Sequence, residues 1–317
     1  MLKYVLKRIG LMVFTFLIIV TICFILVKLL PLPAIKELGK DTQTILRKRE
    51  AMGYNKPIMV QYWRYWTHLI KGDMGVGEQM YAALNVWDVM MQKIPYTIVV
   101  NLYSILIAIP LGLILGIFAA LKKNKWQDHV LSTLVMVFIS VPSYVYAFLV
   151  QYLLCYKAGW FPMLVAPESE AALFSWKMFV SMCPAIISLG FGTVAGLTRF
   201  TRAELAEVLT GDYLLLARTK GLTRNQAIIR HALRNAMVPI VPMILSQFVG
   251  ILGGSLIIEQ IFSIPGIGKL YITSIQVRDY NFFMADTVFY TLIGLASGLV
   301  MDLSYGFIDP RIRMGER

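Results

Sequence analysis

Six apolar stretches, each long enough to cross a bilayer as a helix, dominate this 317-residue sequence. The hydrocarbon core of a membrane is about 30 Å thick, so a spanning helix needs about 20 predominantly apolar residues. Because lipid offers no partners to backbone N–H and C=O groups, each stretch must be helical. The predicted spans are residues 9–27, 96–121, 129–156, 178–198, 238–258 and 286–306. An all-α polytopic membrane protein is therefore predicted, with kinks at Pro110, Pro142 and Pro184.

The distribution of basic residues predicts the orientation. With the amino terminus in the cytoplasm, four inner segments hold three, three, seven and three Lys or Arg, which makes 16 of the 30 in the chain. The two short outer loops hold four, and the first outer segment, 31–95, is long enough to escape the positive-inside rule. We expect an uncleaved first span, both termini in the cytoplasm, and four regions: 1–30, 31–95, a core at 96–306 with a cytoplasmic loop at 199–237, and a tail at 307–317.

Composition and motifs exclude several classes of function. With 58% hydrophobic and 15% charged residues, the chain is far more apolar than a soluble protein. There is no GxxxxGK[ST], GxSxG or HExxH motif, and we expect no enzyme, cofactor or metal site in this chain. Four predicted spans contain no Asp, Glu, Lys or Arg; the charge-free ranges are 96–121, 129–156, 178–198 and 235–258. An ion-coupled carrier is therefore disfavoured, because such carriers usually keep an ionisable residue within the membrane. The acids at Glu259, Asp286 and Asp302 are expected near the water boundary.

Two patterns predict contact surfaces. Small-xxx-small pairs recur at Gly112/Gly116, Gly192/Gly196, Gly250/Gly254 and Gly294/Gly298, and such spacing lets helix backbones approach closely, within this chain or in a second subunit. The segment 31–95 is rich in aromatic rings, which settle at a membrane surface or under a docked partner. These rings are Tyr62, Trp63, Tyr65, Trp66, Tyr81 and Trp87.

The basic loop at 199–237 carries helix start and stop signals. Asp212 is a fair N-cap, residues 213–220 suit a short helix, and Gly221 fits the left-handed residue that ends one. Thr223 and Gln226 form a capping-box pattern that opens the next helix, which leads into the fifth span. An eight-residue helix needs packing partners, which could be the inner ends of the spans or a cytoplasmic protein. DNA binding would need a free recognition helix, so a membrane-anchored regulator is disfavoured and no nucleic-acid partner is expected.

The same residues resemble a known family. The segment TRAELAEVLTGDYLLLARTKGLTRNQAIIRHALRNAMVPIVP (201–242) closely resembles the cytoplasmic coupling loop of ABC importer permeases, in the form carried by the oligopeptide and dipeptide branch. Other matches follow in the same order: GDMG (72–75), KIPYT (93–97), KKNKWQD (122–128), IIEQIFSIPGIG (257–268), RDY (278–280) and DPRIR (309–313). The general loop reads E-A-A, three residues, G, nine residues, I-x-L-P. Its Glu, Ile and Pro are absent here, as is usual in the peptide branch.

The resemblance implies a type I ABC importer permease, the first of two paired permease subunits. Its partners would be a second homologous permease, two ATPase subunits that hold ATP and Mg, an extracytoplasmic peptide-binding protein, membrane lipid and a peptide substrate. The implied coupling residues, which would take force from an ATPase, are Asp212, Tyr213, Leu216, Ala217, Arg218, Lys220 and Gly221.

Polar residues within apolar spans are candidates for the translocation path, although each could instead form helix–helix hydrogen bonds. They are Asn101, Ser140, Ser143, Ser246, Gln247 and Ser255, and Glu259 is a candidate outer gate. Cargo of the same branch could also be nickel, an opine or an oligosaccharide.

Overall fold

The computed structural model describes residues 2–31, 34 and 40–308 of the chain. The DPRIR motif at 309–313 and the remaining tail lie outside these residues. Every element in the described ranges is helical apart from two isolated β-bridges. The helices are α1 (Leu2–Leu29), α2 (Lys40–Met52), α3 (Ile58–Ile70), α4 (Val86–Leu121), α5 (Trp126–Ser140), α6 (Ser143–Val150), α7 (Trp176–Val208), α8 (Asp212–Thr219), α9 (Arg224–Ala227), α10 (Leu233–Gly250), α11 (Leu256–Ile261), α12 (Ile267–Val277) and α13 (Tyr280–Ile308).

The helices of the structure confirm the predicted all-α class, but several predicted span boundaries are wrong. Within the described ranges, five helical stretches are long and apolar enough to cross a membrane, and a bent pair makes a sixth if it forms one span. The fifth predicted span, 238–258, extends too far: its helix, Arg224–Gly253, ends before Gly254, whose φ is +54°. The sixth begins at Tyr280 rather than at residue 286, because Asp279 caps its first turn through Phe282 N at 3.5 Å.

The predicted span 129–156 is broken rather than kinked. Helix α5 and the helix that begins at Ser143 meet at an angle of 104°. Pro142 has no N–H to continue the helical ladder, and the residue before a proline is pushed out of the helical region. Val141 accordingly adopts φ −83° and ψ 129°. Helices α4 and α7 continue through Pro110 and Pro184.

The chain divides into two compact units, and each is described by itself. The first contains Val99–Ile251 and the segment from Ser297 onward. In this unit α5, α6 and α10 pack against α7. Gly112 and Gly116 of α4 also lie against α7, where an added Cβ would meet Leu197 at 2.8 Å and Thr201 at 2.6 Å. The first small-xxx-small pair is therefore a close helix contact, whereas a Cβ added at Gly250, Gly294 or Gly298 would meet nothing within 4 Å.

The second unit contains Leu2–Ile98 and Leu252–Ala296. Buried side chains of α1 and α13, among them Phe24 and Met284, form one core cluster, against which rings of α3 pack. Tyr62 and Tyr65 approach Phe24 with ring centroids 5.4 and 5.3 Å apart, whereas Trp63 is 71% exposed. Tyr62, Tyr65 and Trp66 thus pack within this unit, whereas Trp63, Tyr81 and Trp87 are exposed. A second cluster joins the start of α4 to α12 and α13.

Candidate functional site

The predicted coupling helix forms where the sequence placed it. Helix α8 covers Asp212–Thr219, and Gly221 adopts φ +88°, the left-handed conformation expected of a helix-ending glycine. Thr223 and Gln226 form the predicted capping box, with Gln226 N donating to Thr223 Oγ1 at 3.4 Å and Thr223 N to Gln226 Oε1 at 3.1 Å. Beyond this box the chain is helical from Arg224 to Gly253, with a π-helical stretch at Ile228–Ala232.

The short helix is anchored on one side and open on the other. Leu214 packs against a cluster of buried residues from α4, α7 and the Arg224–Gly253 helix, and Ala217 is buried. Leu216 is 57% exposed, and Lys220 and Gly221 are also exposed. Of the predicted coupling residues, Asp212, Tyr213 and Arg218 have side chains outside what the structure describes. Ile229, in the helix that follows, is 66% exposed and was not singled out from the sequence.

An ion pair between Arg202 and Asp128 lies near the start of the 199–237 loop. Arg202, near the end of α7, contacts the carboxylate of Asp128 in α5 through two hydrogen bonds of 2.8 and 2.7 Å. Asn124 N donates to the same carboxylate at 2.9 Å, so the KKNKWQD turn is fastened to α7. A bidentate arginine–carboxylate contact fixes orientation as well as distance. Both segments are marked by the family resemblance, but nothing in the sequence indicates that they pair.

Glu259, the candidate gate, lies at the centre of a buried cluster that we call the Glu259 cluster: Thr97, Gly254, Glu259, Gly266 and Gly268. Its carboxylate accepts hydrogen bonds from Thr97 Oγ1 at 3.0 Å, Gly268 N at 2.8 Å and Lys269 N at 3.3 Å. Ile267 N donates to Thr97 Oγ1 at 2.9 Å. The first turn of α12 is thus capped by side chains from α4 and α11, and a carboxylate there is favoured by the helix dipole.

Gly254 and Gly266 must be glycine because any side chain at these positions would overlap the Glu259 carboxylate. A Cβ at Gly266 would overlap both Glu259 Oε2 and Thr97 Oγ1, and one at Gly254 would lie 2.5 Å from Glu259 Oε1. Glu259 is 0% exposed, and burial raises its pKa to about 7, against hydrogen bonds that favour the charged form. Asp286 is also 0% exposed, so neither acid is solvated in this structure, and their position near the water boundary stays a prediction.

A third cluster, the Asp279 cluster, joins the GDMG and RDY regions. Asp279 Oδ2 accepts three backbone hydrogen bonds, from Glu78 N at 2.7 Å, Gln79 N at 2.8 Å and Met80 N at 3.1 Å. Burial raises the pKa of Asp279, while these backbone contacts oppose the shift. Glu78 in turn binds Arg49 of α2 at 2.6 Å. The sequence marked both motifs but gave no reason to bring them together.

The candidate path residues are scattered. Asn101, Ser246 and Gln247 are half-buried, and Ser140 and Ser143 are exposed on either side of the α5–α6 break. Ser246 Oγ donates to Met243 O at 2.8 Å, and Ser297 Oγ donates to Ser246 O at 3.2 Å. Ser255 is the N-cap of α11 and accepts from Ile258 N at 3.4 Å. A common path through these residues stays a prediction.

Comparison with known proteins accounts for the whole chain. Residues 112–314 match the family described as binding-protein-dependent transport system inner membrane component, and residues 1–101 match the N-terminal model of the same kind of protein. The chain is 34% identical over 316 residues to the glutathione transport system permease protein GsiC of Salmonella paratyphi A, covering 99% of each chain. It is equally 34% identical over 316 residues to the dipeptide transport system permease protein DppB of Lactococcus lactis subsp. cremoris, covering 99% of this chain and 100% of that one.

Proposed function

This chain belongs to the family of binding-protein-dependent transport system inner membrane components, and from that premise we propose a function. The protein carries short peptides inward as part of an ATP-driven importer. The observation that carries the proposal is the end-to-end similarity, at one level of identity, to both a glutathione and a dipeptide permease. Glutathione is itself a small peptide, so the two relatives share a cargo chemistry. Energy would come from ATPase subunits, since the family match lies in a membrane component.

The geometry of α8 supports the coupling role. The helix follows one candidate span, Trp176–Val208, and precedes another, Arg224–Gly253. It packs through Leu214 on a cluster with residues from both, and its Ala217 is buried. A displacement applied to α8 would therefore be transmitted to both spans as a rigid-body movement. Exposed Leu216 and Ile229 offer apolar contact, and exposed Lys220, Arg224 and Arg230 lie near them in the chain. We assign this surface to an ATPase subunit in the cytoplasm.

The remaining partners follow from the same assignment. A second homologous permease would complete the translocation path, and the open glycines at 250, 294 and 298 offer helix faces where its backbone could approach closely. An extracytoplasmic binding protein would deliver the peptide from the other side of the membrane. Both termini would then lie in the cytoplasm.

The decisive experiment reconstitutes the chain with the second permease, ATPases and binding protein of its own system in proteoliposomes. Uptake of labelled glutathione and of a labelled dipeptide is measured with ATP or a non-hydrolysable analogue inside the ATPase-facing compartment. We expect uptake only with ATP and binding protein. Transport by this chain alone down an ion gradient would overturn the proposal. Uptake of nickel or an oligosaccharide instead of peptides would show that the assigned cargo is wrong.

Cross-linking tests the coupling surface separately. In a background where Cys23, Cys155 and Cys183 are replaced by Ser, Leu216→Cys should cross-link to an ATPase subunit. Trp176→Cys is the control, because this residue is 76% exposed at the opposite end of α7. Cross-linking from the control position but not from Leu216→Cys would contradict the assignment of α8.

A further inference from the structure

An apolar cavity lies between α4, α5 and α7 within the first unit. Its volume is about 320 Å³, and its walls include Ile107, Leu111, Leu134, Phe138 and Val194. The polar side chains in the wall are Ser104 and Thr198, and the Thr198 hydroxyl already donates to Gly112 O at 3.2 Å. A peptide in this cavity would leave its backbone N–H and C=O groups without hydrogen-bond partners. Burying each such unpaired polar group costs on the order of several kcal/mol. The lining chemistry fits a hydrocarbon chain.

A second cavity continues the first toward the coupling loop. Its volume is about 240 Å³, and it shares Leu131, Val135 and Thr198 with the apolar cavity. Its remaining walls combine apolar Ala119, Met136 and Ala203 with polar Ser132, Arg199 and Arg202. The two cavities thus form one cleft that is apolar along most of its length and basic at one end.

The basic end carries net positive charge. The charge of Arg202 is matched by Asp128, which it contacts at 2.7 Å. Arg199 is exposed and lines the cleft. The turn that binds Asp128 through Asn124 contains Lys122, Lys123 and Lys125, which follow the lining residue Ala119 in the chain but do not themselves line the cavity. Trp126, which is 71% exposed, follows them directly, and tryptophan is enriched where a helix leaves the membrane.

We propose that this cleft binds an anionic phospholipid from the leaflet next to the coupling loop. One acyl chain would occupy the space between α4, α5 and α7, and the phosphate would be held by Arg199 and the lysines of the 122–125 turn. Charge complementarity selects the occupant, because basic pockets between membrane helices recognise anionic headgroups and an apolar cleft recognises acyl chains. A dry, empty cavity would forfeit dispersion contacts that a lipid chain restores.

The site would bear on coupling because its basic end lies on α7, the helix that precedes α8 in the chain. Arg199 and Arg202 lie in the last third of α7, which ends at Val208, and α8 begins at Asp212. A bound lipid would brace the end of α7 against α5. The inference does not depend on the cargo.

Photolabelling of the full-length protein in its native assembly tests the site. The assembly is placed in nanodiscs of phosphatidylcholine that contain phosphatidylglycerol with a diazirine at the end of one acyl chain, and adducts are mapped by peptide mass spectrometry. A phosphatidylcholine probe with the same labelled chain is the comparison. We expect phosphatidylglycerol adducts on α4, α5 and α7, and few from the phosphatidylcholine probe.

Matched variants identify the two ends of the cleft. Ile107→Trp and Leu134→Trp should each block the adducts, because both side chains line the cavity and are exposed enough to accept the larger ring. Leu106→Trp is the control, since Leu106 is 53% exposed on the same helix outside the cavity wall. Arg199→Gln should lower phosphatidylglycerol labelling about fivefold, in keeping with about 1 kcal/mol per basic residue. Lys177→Gln, at the other end of α7, should leave it unchanged.

Two outcomes would overturn the proposal. Labelling that persists in both cavity-filling variants would place the acyl chain elsewhere. Equal labelling by the two probes in the unmodified protein, or an unchanged result in Arg199→Gln, would show that the site does not select an anionic headgroup.

Discussion

The hydroxyl of Thr97 donates a hydrogen bond of 3.0 Å to the buried carboxylate of Glu259, although the two residues are 162 positions apart. The same hydroxyl oxygen accepts from Ile267 N at 2.9 Å. One threonine therefore connects α4 to α11 and to the first turn of α12. Motifs that the sequence showed only as separate matches, KIPYT and IIEQIFSIPGIG, are the two sides of this contact.

We expect Thr97→Val to destabilise the second unit by about 1–3 kcal/mol, because it removes both hydrogen bonds and leaves a buried carboxylate short of one donor. The measurement is the thermal midpoint of the purified full-length protein. Thr133→Val, at an exposed threonine of α5, is the control and should have little effect. Equal midpoints for Thr97→Val and the unmodified protein would mean that the contact contributes nothing to stability.

Gly266→Ala should be destabilising by about 1–3 kcal/mol, the cost of overpacking a filled core. Its Cβ would overlap Glu259 and Thr97, so the Glu259 cluster would have to separate. Gly253→Ala is a matched control nearby in the chain, because nothing lies within 4 Å of its Cβ position. If both substitutions lowered the thermal midpoint equally, the crowding argument would fail.

Stability of the second unit should fall as the pH rises from about 4.5 to about 7. Burial raises the pKa of Glu259 to about 7 from an ordinary value of 4.5, so the native chain binds the proton more tightly than the unfolded chain. Where the native state holds more protons, the free energy of unfolding decreases with increasing pH, and the decrease ends above the native pKa.

The charge-neutral variant Glu259→Gln isolates this contribution. Its amide oxygen can still accept from Gly268 N, and its NH₂ can donate to Thr97 Oγ1, so the fold should persist while the pH slope flattens. Asp286 is a second fully buried carboxylate of the same unit, so Asp286→Asn is measured alone and with Glu259→Gln. A slope that disappears only with Asp286→Asn would transfer the pH dependence to that residue.

Asp279→Ala should loosen the turn at 76–85 without unfolding the chain. Three backbone N–H groups would lose their common acceptor, and α13 would lose its cap. We expect hydrogen exchange at residues 78–80 to accelerate about tenfold or more, equivalent to about 1.4 kcal/mol of local opening. Asp88→Asn, at an exposed acid in the first turn of α4, serves as the control. Unchanged protection at 78–80 would show that the turn is held by other contacts.

Sequence signals correctly predicted the features that depend on contacts between residues close in the chain. Gly221 and the Thr223–Gln226 box act within a few residues of their own helices, and both were found as the sequence indicated. A kink was predicted at Pro142, and the structure has a break there with an angle of 104°. Proline specifies only that the helical hydrogen-bond ladder is interrupted, so the size of the angle could not be predicted.

Contacts between distant segments carry no such signal. Asp279 was visible only as part of RDY, since its acceptor role depends on residues about 200 positions earlier. The start of α13 at Tyr280 was missed for the same reason: apolar patterning begins later, while the helix begins at its cap. The burial of Glu259 and Asp286 was missed because buried carboxylates are rare, and partners such as Thr97 are revealed only by the fold.

Gly221→Val tests whether the turn after α8 transmits force, and Gly221→Asn is its matched control. Nothing in this chain lies within 4 Å of a Cβ at this position, so an effect on the structure of the chain itself would come from the backbone, which has φ +88°. A β-branched residue there is strained by about 1–2 kcal/mol, whereas asparagine tolerates the left-handed region. We expect Gly221→Val to insert normally but to lower transport-coupled ATP hydrolysis in the reconstituted system, and Gly221→Asn to retain it. Because the two variants differ in conformational preference and not in available space, equal hydrolysis by both would show that the geometry of this turn is not what couples α8 to the membrane helices.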